Sequence, residues 1–267
     1  MKIVLWILND ACQRGLASKI HEIYPIAGIV AENRRTERKL TLRKLGESLL
    51  EKIFLRSIGG AWWGMLRYYE SSYKQYPVTR RIDVENINSE EAYNFTKEID
   101  PDLIIVSGTR LIKQKMLSLR PVIGILNLHT GLSPYIKGGP NCTNWCIATK
   151  QYHVIGNTIM WIDNGIDTGN LVSTEITEFD GTESLLDIHI KVMEHGQNLY
   201  LRAIRAICNG QPSNVPQETI GKGRTYYNKD WGLQEKISLI RNLRDFKKKV
   251  NSDAVNDLRQ KIITVKI

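Results

Sequence analysis

Three short apolar runs set the limits on how this chain can fold: Lys2–Leu8 (KIVLWIL), Asp102–Ser107 (DLIIVS) and Gly124–His129 (GILNLH). Each is rich in Ile, Val and Leu, the pattern of a strand covered on both faces. Ile26–Ala31 reads as a further strand, separated from the first by a helix over about Arg14–Tyr24. A second helix, capped by Ser89 with Glu90 and Glu91 in its first turn, leads into Asp102–Ser107. Strands alternating with helices predict an α/β fold with a parallel, doubly wound sheet. Such sheets bind ligands beyond the carboxyl ends of their strands.

The rest of the chain continues the pattern. It reads as a Gly/Pro loop at Lys137–Pro140, a helix around Asn144, a strand Val154–Trp161 and a turn Asp163–Gly169, where Gly165 and Gly169 supply flexibility. A strand Leu171–Ile176 and a long helix from about Thr182, taken as its N-cap, to Cys208 follow. Asn209-Gly210-Gln211-Pro212 ends that helix and marks a boundary, giving a domain over 1–208 and a small basic C-terminal element over 209–267. Residues 34–76 carry no strand pattern and read as a helical insertion, in which Trp62, Trp63, Met65, Leu66, Tyr68 and Tyr69 cluster. Such a cluster is core or a dimer contact, so a homodimer is an expected partner, and peripheral contact with a membrane is the lesser alternative.

Charge and cysteine content narrow the partners. The net charge is +9, with eight Lys/Arg against three Glu over Arg34–Arg56 and twelve Lys/Arg against five Asp/Glu from Gly221 onward. Two basic zones suit an anionic partner or two solvated helical faces. Four cysteines do not make a disulfide scaffold, and Cys142 and Cys146 lack a nearby His or Cys to complete a metal set, so no metal is expected. No stretch approaches the ~20 apolar residues of a membrane span. The N-terminal run fits a strand better than a signal peptide, which makes a cytoplasmic location the expectation.

The residues that carry chemistry sit at one predicted strand end. Asn127 and His129 are two apart, so both side chains leave the strand on the same side, and Asp167 lies in the glycine-flanked turn downstream. An amide donor beside an imidazole suits stabilisation of an oxyanion, and a carboxylate can orient the imidazole and help move a proton. No Ser or Cys sits in a nucleophile elbow, which favours direct attack by an amine on an activated acyl carbon. From these residues alone a second reading stays open, in which Asn127 and His129 satisfy backbone groups at a sheet edge.

The stretch Asn127-Leu-His-Thr-Gly-Leu-Ser-Pro-Tyr-Ile-Lys-Gly138, followed by Ile166-Asp-Thr-Gly-Asn170, resembles the signature of the 10-formyltetrahydrofolate-dependent formyltransferases. Gly156-Asn157-Thr158 also matches a glycine and threonine of that pattern, and the resemblance covers about residues 100–205. It implies a Rossmann-like formyltransferase fold with a mostly parallel central sheet, a helical insertion and a small C-terminal appendage. It also implies 10-formyltetrahydrofolate as formyl donor. By the same resemblance Asn127 holds the formyl oxygen, His129 stabilises charge and assists proton transfer, and Asp167 positions His129. Ser107-Gly-Thr-Arg-Leu-Ile112 resembles the folate-binding loop, so Arg110, Leu111 and Ile112 are carried over as cofactor contacts, with Asp163 and Gly165 from the following turn.

Departures from the family pattern bear on the acceptor. After the first strand the chain reads Leu8-Asn9-Asp10-Ala11-Cys12-Gln13, without the Gly/Ser phosphate loop of glycinamide ribonucleotide formyltransferases. The Gly-Thr-Pro and the larger C-terminal domain of methionyl-tRNA formyltransferases are not evident either. The expected acceptor is therefore a nucleotide-linked amino sugar of surface-glycan synthesis, with Lys137, Asn141, Lys222 and Arg224 as candidate contacts. Glycinamide ribonucleotide and methionyl-tRNA are the alternative acceptors. A non-catalytic nucleic-acid or membrane-binding module is the alternative of a different class, and no stable nucleic-acid complex is expected.

Overall fold

A computed structural model describes residues 1–34, 56–211 and 213–267. Most of the first basic zone and the first half of the expected insertion lie outside the described residues. Seven strands form the main sheet: β1 (Ile3–Leu8), β2 (Ile26–Glu32), β3 (Arg81–Val84), β4 (Leu103–Ser107), β5 (Gly124–His129), β7 (Gly156–Trp161) and β8 (Leu171–Ile176). Their order is β3-β2-β1-β4-β5-β7-β8. The pairings from β3 through β5 are parallel, with Trp6 opposite Val30 on one side and Val106 on the other. The β5–β7 and β7–β8 pairings are antiparallel. The expected doubly wound, mostly parallel sheet is present. The chain turns back at β1 and β4, so the crevice of the fold opens beside Leu8 and Ser107.

Alternation along the strands explains why they are apolar throughout. Ile3, Leu5 and Ile7 pack on one face against Leu16 and Ile20 of α1 (Ala11–His21) and Leu199, Ala203 and Ile204 of α6 (Leu185–Cys208). Val4 and Trp6 pack on the other face against Ala92 and Ile99 of α3 (Glu90–Ile99) and Met116 of α4 (Gln114–Leu117). Ser89 caps α3 as expected, accepting from Ala92 N–H. The one polar atom of Trp6 is satisfied in the core, its indole N–H donating to Thr96 Oγ1 at 3.0 Å.

Three local expectations are corrected. α1 starts at Ala11 rather than near Arg14, because the Asp10 carboxylate accepts from Gln13 N–H and closes the first turn. α6 is capped by Ser184, in a reciprocal box with Asp187, rather than by Thr182. Glu183 instead accepts from the N–H groups of Asp180 and Gly181 and holds the turn ahead of the helix. The expected loop at 137–140 is in part a strand, β6 (Ile136–Gly138), which pairs in parallel with β9 (Arg224–Tyr226). Gly138 has φ +89°, and a Cβ there would lie 2.0 Å from the Tyr226 carbonyl oxygen, so only glycine allows this pairing.

The residues after 209, among them the short α7 (Gln217–Ile220), pack closely on the residues before it. Tyr226 stacks on Trp145 of α5 (Cys142–Ala148) at 4.3 Å between ring centres. Leu239 and Phe246 of α8 (Leu233–Lys249) share one apolar cluster with Trp145, Ile147 and Tyr152. The Asn242 amide donates to the carbonyls of Ile147 and Ala148, which close α5. Near the chain end, Val265 N–H bonds Thr174 and its carbonyl accepts from Ser173.

The aromatic cluster divides along α2 (Arg56–Ser72). Met65 and Tyr69 are buried against α1 and α6, whereas Trp63 is 63% exposed. Among the described residues no helix is long and apolar enough to cross a membrane, and no group of His, Cys, Asp or Glu could hold a metal.

One side chain ties the two strands that carry the crevice. The Tyr200 hydroxyl, fully buried on α6, accepts from Val106 N–H at 3.2 Å and donates to the Leu126 carbonyl at 2.6 Å. Tyr200→Phe keeps the ring and strands these groups, so it is expected to cost about 1–3 kcal/mol. That corresponds to roughly 3–10 °C in Tm, measured by differential scanning fluorimetry. An unchanged Tm would show that the hydroxyl does not clamp β4 to β5.

Candidate active site

Asn127 and His129 end β5 and stand opposite Met160 and Thr158 of β7. Thr158 Oγ1 donates to the Gly131 carbonyl at 2.7 Å and accepts from Ser133 N–H at 2.9 Å, which fixes the turn leaving β5. His129 is buried, with Nδ1 3.4 Å from Asp167 Oδ2 and Nε2 3.5 Å from Cys142 Sγ. A Cβ on Gly131 would lie 2.3 Å from His129 Nε2, so the glycine makes room for the imidazole. The amide of Asn127 borders the same cleft and has no hydrogen-bond partner among the described residues.

Asp167 is held from three sides. Its backbone has φ +52°, a left-handed conformation that costs energy outside glycine. Its Oδ2 accepts from Gly138 N–H at 2.9 Å, and Gln217 Nε2 donates to the carbonyls of Asp167 and Gly169, both at 2.8 Å. Asp163 closes the same turn by accepting from Gly165 N–H and from the Thr168 hydroxyl. Gly165 has no room for a side chain, since a Cβ would fall 1.9 Å from Thr168 Oγ1.

These residues surround a cleft of about 690 Å³. Its lining includes residues 107–112, 160–163 and 165–169, and so Arg110, Leu111, Ile112, Asp163 and Gly165. Leu111 is exposed and Ile112 is buried. Arg110 does not stand free, because its Nε is 3.4 Å from the fully buried Glu32, which also accepts from Arg110 N–H and Ile87 N–H. The lining also includes the start of α1, Trp62 and Met65 of α2, His189 of α6, and residues 138–143 and 226–228. Asn141 lies here and caps α5, accepting from Asn144 N–H.

Lys137, Lys222 and Arg224 do not line the cleft. They belong to the β6–β9 edge and the turn before it, and the Arg224 guanidinium lies over the Tyr226 ring. Sequence reasoning passed over Glu32, Cys142, His189 and Gln217. Glu32 and Gln217 act through contacts more than forty residues away in the chain, which no local spacing reveals. Cys142 was weighed only as a metal ligand, whereas its thiol sits on the imidazole.

The arrangement can hold an acyl oxygen at Asn127 and His129 and can pass a proton between His129 and Asp167. A family model described as formyl transferase matches residues 70–204. The methionyl-tRNA formyltransferase of Clostridium botulinum is 36% identical over 133 residues, which are 50% of this chain and 41% of that protein. The methionyl-tRNA formyltransferase of Clostridium perfringens is 30% identical over 254 residues, 91% of this chain and 74% of that one. Among solved structures, a sugar N-formyltransferase from a Shewanella species superposes with TM-score 0.59 at 13% identity, over 91% of this chain and 88% of that one. The N-formyltransferase of Helicobacter canadensis, solved with folinic acid and dTDP-3-aminofucose, gives TM-score 0.56 at 17% identity, over 91% and 81%.

Asp10 carries a measurable signature of the cleft. Burial raises its carboxyl to about 6, against the hydrogen bonds from Gln13 and Cys12 that lower it. Between its ordinary value of 3.8 and about 6 the folded state holds the proton and the unfolded state does not. Stability from this group is therefore lost as pH rises through that window. Asp10→Asn keeps the cap without the charge. The variant is expected to match the parent in Tm at pH 4 and exceed it at pH 8. An equal difference at both pH values would show that Asp10 is not desolvated.

Proposed function

Because the chain belongs to the formyl transferase family, we propose that it moves a formyl group from 10-formyltetrahydrofolate to the amine of an amino-deoxysugar carried on a nucleotide. The observation that carries formyl transfer is the convergence of Asn127, His129 and Asp167 on one cleft at the carboxyl ends of β4 and β5. Residues 107–112 and 163–168 fit the donor, since they offer backbone groups beside the apolar Met160 and Ile162, next to Asn127. When bound there, the donor supplies an activated formyl carbon.

The residues of the chain then divide the chemistry. Asn127 donates its amide hydrogen to the formyl oxygen, where negative charge develops as the amine attacks. His129 stands beside it, with Asp167 at Nδ1 fixing the ring. Asp167, itself fixed by Gly138 N–H, takes up the proton that the amine releases. A new C–N bond forms directly, without a covalent enzyme intermediate, as the bond between the formyl carbon and the donor nitrogen breaks and the proton released by the amine is relayed to that nitrogen.

The acceptor reading rests on the start of α1. A ribonucleotide monophosphate would seek a free helix N-terminus. Here the Asp10 carboxylate already occupies that turn. Trp62 and Tyr227 border the cleft with exposed rings and suit a sugar and a base. Such a substrate carries with it a cytoplasmic location and a place in surface-glycan assembly. A second reading, methionyl-tRNA as acceptor, is favoured by the 254-residue match to the Clostridium perfringens protein.

The deciding assay follows tetrahydrofolate release by absorbance across UDP- and dTDP-linked amino-dideoxysugars, glycinamide ribonucleotide and charged initiator tRNA. Turnover is expected only with a sugar nucleotide. Asn127→Ala is expected to lower kcat about 10²-fold or more, and His129→Ala and Asp167→Asn at least as much. Turnover with charged tRNA alone would replace the acceptor. Full activity of His129→Ala would remove the mechanism.

A further inference from the structure

His189 stands apart from the catalytic trio but lines the same cleft. It projects from α6 and is only 4% exposed. Its Nε2 is 2.9 Å from Asn144 Oδ1, an oxygen that accepts, so the ring proton resides on Nε2. Nδ1 then presents a lone pair, and this atom is buried with no hydrogen-bond partner. Leaving a buried acceptor unpaired is costly, and native proteins seldom do so without a reason. Burial also lowers the imidazole to about 4, so the ring is neutral and acts as an acceptor rather than a cation. Gln13 Oε1, at the start of α1 and also lining the cleft, is likewise buried and unpartnered.

Trp62 meets His189 edge-on, with ring centres 6.4 Å apart, and Cys12, Met65, Val192 and Met193 border the cleft with it. Its partner Asn144 stands on α5, the helix that also carries Cys142, whose thiol touches His129. Two buried, unpartnered acceptors that line one cleft, His189 Nδ1 and Gln13 Oε1, call for donors from a ligand, and a sugar hydroxyl is such a donor.

We propose that His189 determines acceptor specificity: its Nδ1 accepts a hydrogen bond from the sugar hydroxyl next to the amine that is formylated. This rests on the amino-sugar reading above. The bond would hold sugars that carry the hydroxyl and disfavour those that lack it.

The test is steady-state kinetics of the full chain with His189→Leu and His189→Gln. Each is assayed with a nucleotide-linked amino-dideoxysugar that the parent formylates and with its analogue in which the hydroxyl beside the amine is replaced by hydrogen. Both variants are expected to raise KM for the hydroxylated acceptor roughly 10- to 100-fold. Their kcat and their KM for 10-formyltetrahydrofolate should stay near the parent values, and the deoxy analogue should not distinguish parent from variant. An unchanged acceptor KM, or the same rise with the analogue, overturns the proposal, because a structural role would not depend on that hydroxyl. If His189→Leu fails to fold, His189→Gln decides, since its amide can keep the contact with Asn144. Failure of the parent to formylate any amino-sugar nucleotide overturns the substrate reading and this inference together, and that result appears before any variant is assayed.

Discussion

The carboxylate of Asp167 is the point on which the rest of the site depends. Its Oδ2 is shared between Gly138 N–H and the His129 imidazole. That sharing sets the position of the 163–169 turn against β5 and β6 at once. The turn reaches this place only because Asp167 accepts a left-handed backbone, a strained choice that Gln217 offsets by bonding two of the turn's carbonyls. Gln217 comes from the segment after α6. The centre therefore needs the C-terminal residues in place, although no ionisable group of that segment touches His129. β9 contributes through the backbone in the same way, pairing with Gly138 and so fixing the N–H that Asp167 accepts from.

The sheet supplies the other half of the constraint. β5 runs parallel to β4 and antiparallel to β7, so its last residues emerge at the crevice with a partner on each side. The Tyr200 hydroxyl bonds the backbone of both β4 and β5 two layers into the core. A rigid floor of this kind lets Asn127 keep its amide unpaired toward the cleft without the strand end fraying.

Much of this was legible in the sequence, and the reasons are physical. The strands announced themselves because both faces of the sheet are covered, so that β1 carries no polar residue and β4 only Ser107 at its end. Asn127 and His129 were visible because a two-residue spacing on a strand has a single geometric meaning. Boundaries set by side-chain caps were less secure. Asp10 moved the start of α1 and Ser184 displaced Thr182 at α6, each by bonding an N–H that sequence order alone does not single out. The strand at 136–138 looked like a loop, because its partner lies near residue 225 and its glycine reflects a close backbone approach rather than a turn. Glu32 and His189 were hidden for the same reason, as their value comes from contacts made only in the folded chain.

The net charge of +9 shows where sequence-level electrostatics stops being informative. The basic side chains that border the cleft are Arg34 and Arg110, and Arg110 is paired with buried Glu32. Against them stand Asp10, Asp163 and Asp167. Lys247, Lys248 and Lys249 fall in the last turn of α8, where positive charge complements the helix dipole, and Lys249 also pairs with Asp245. Among the described residues the excess charge thus lies largely outside the cleft, on surfaces it keeps hydrated. Charge on this chain accordingly bears on hydration and on long-range attraction of anions rather than on the chemistry inside the cleft, which is left to Asn127, His129 and Asp167.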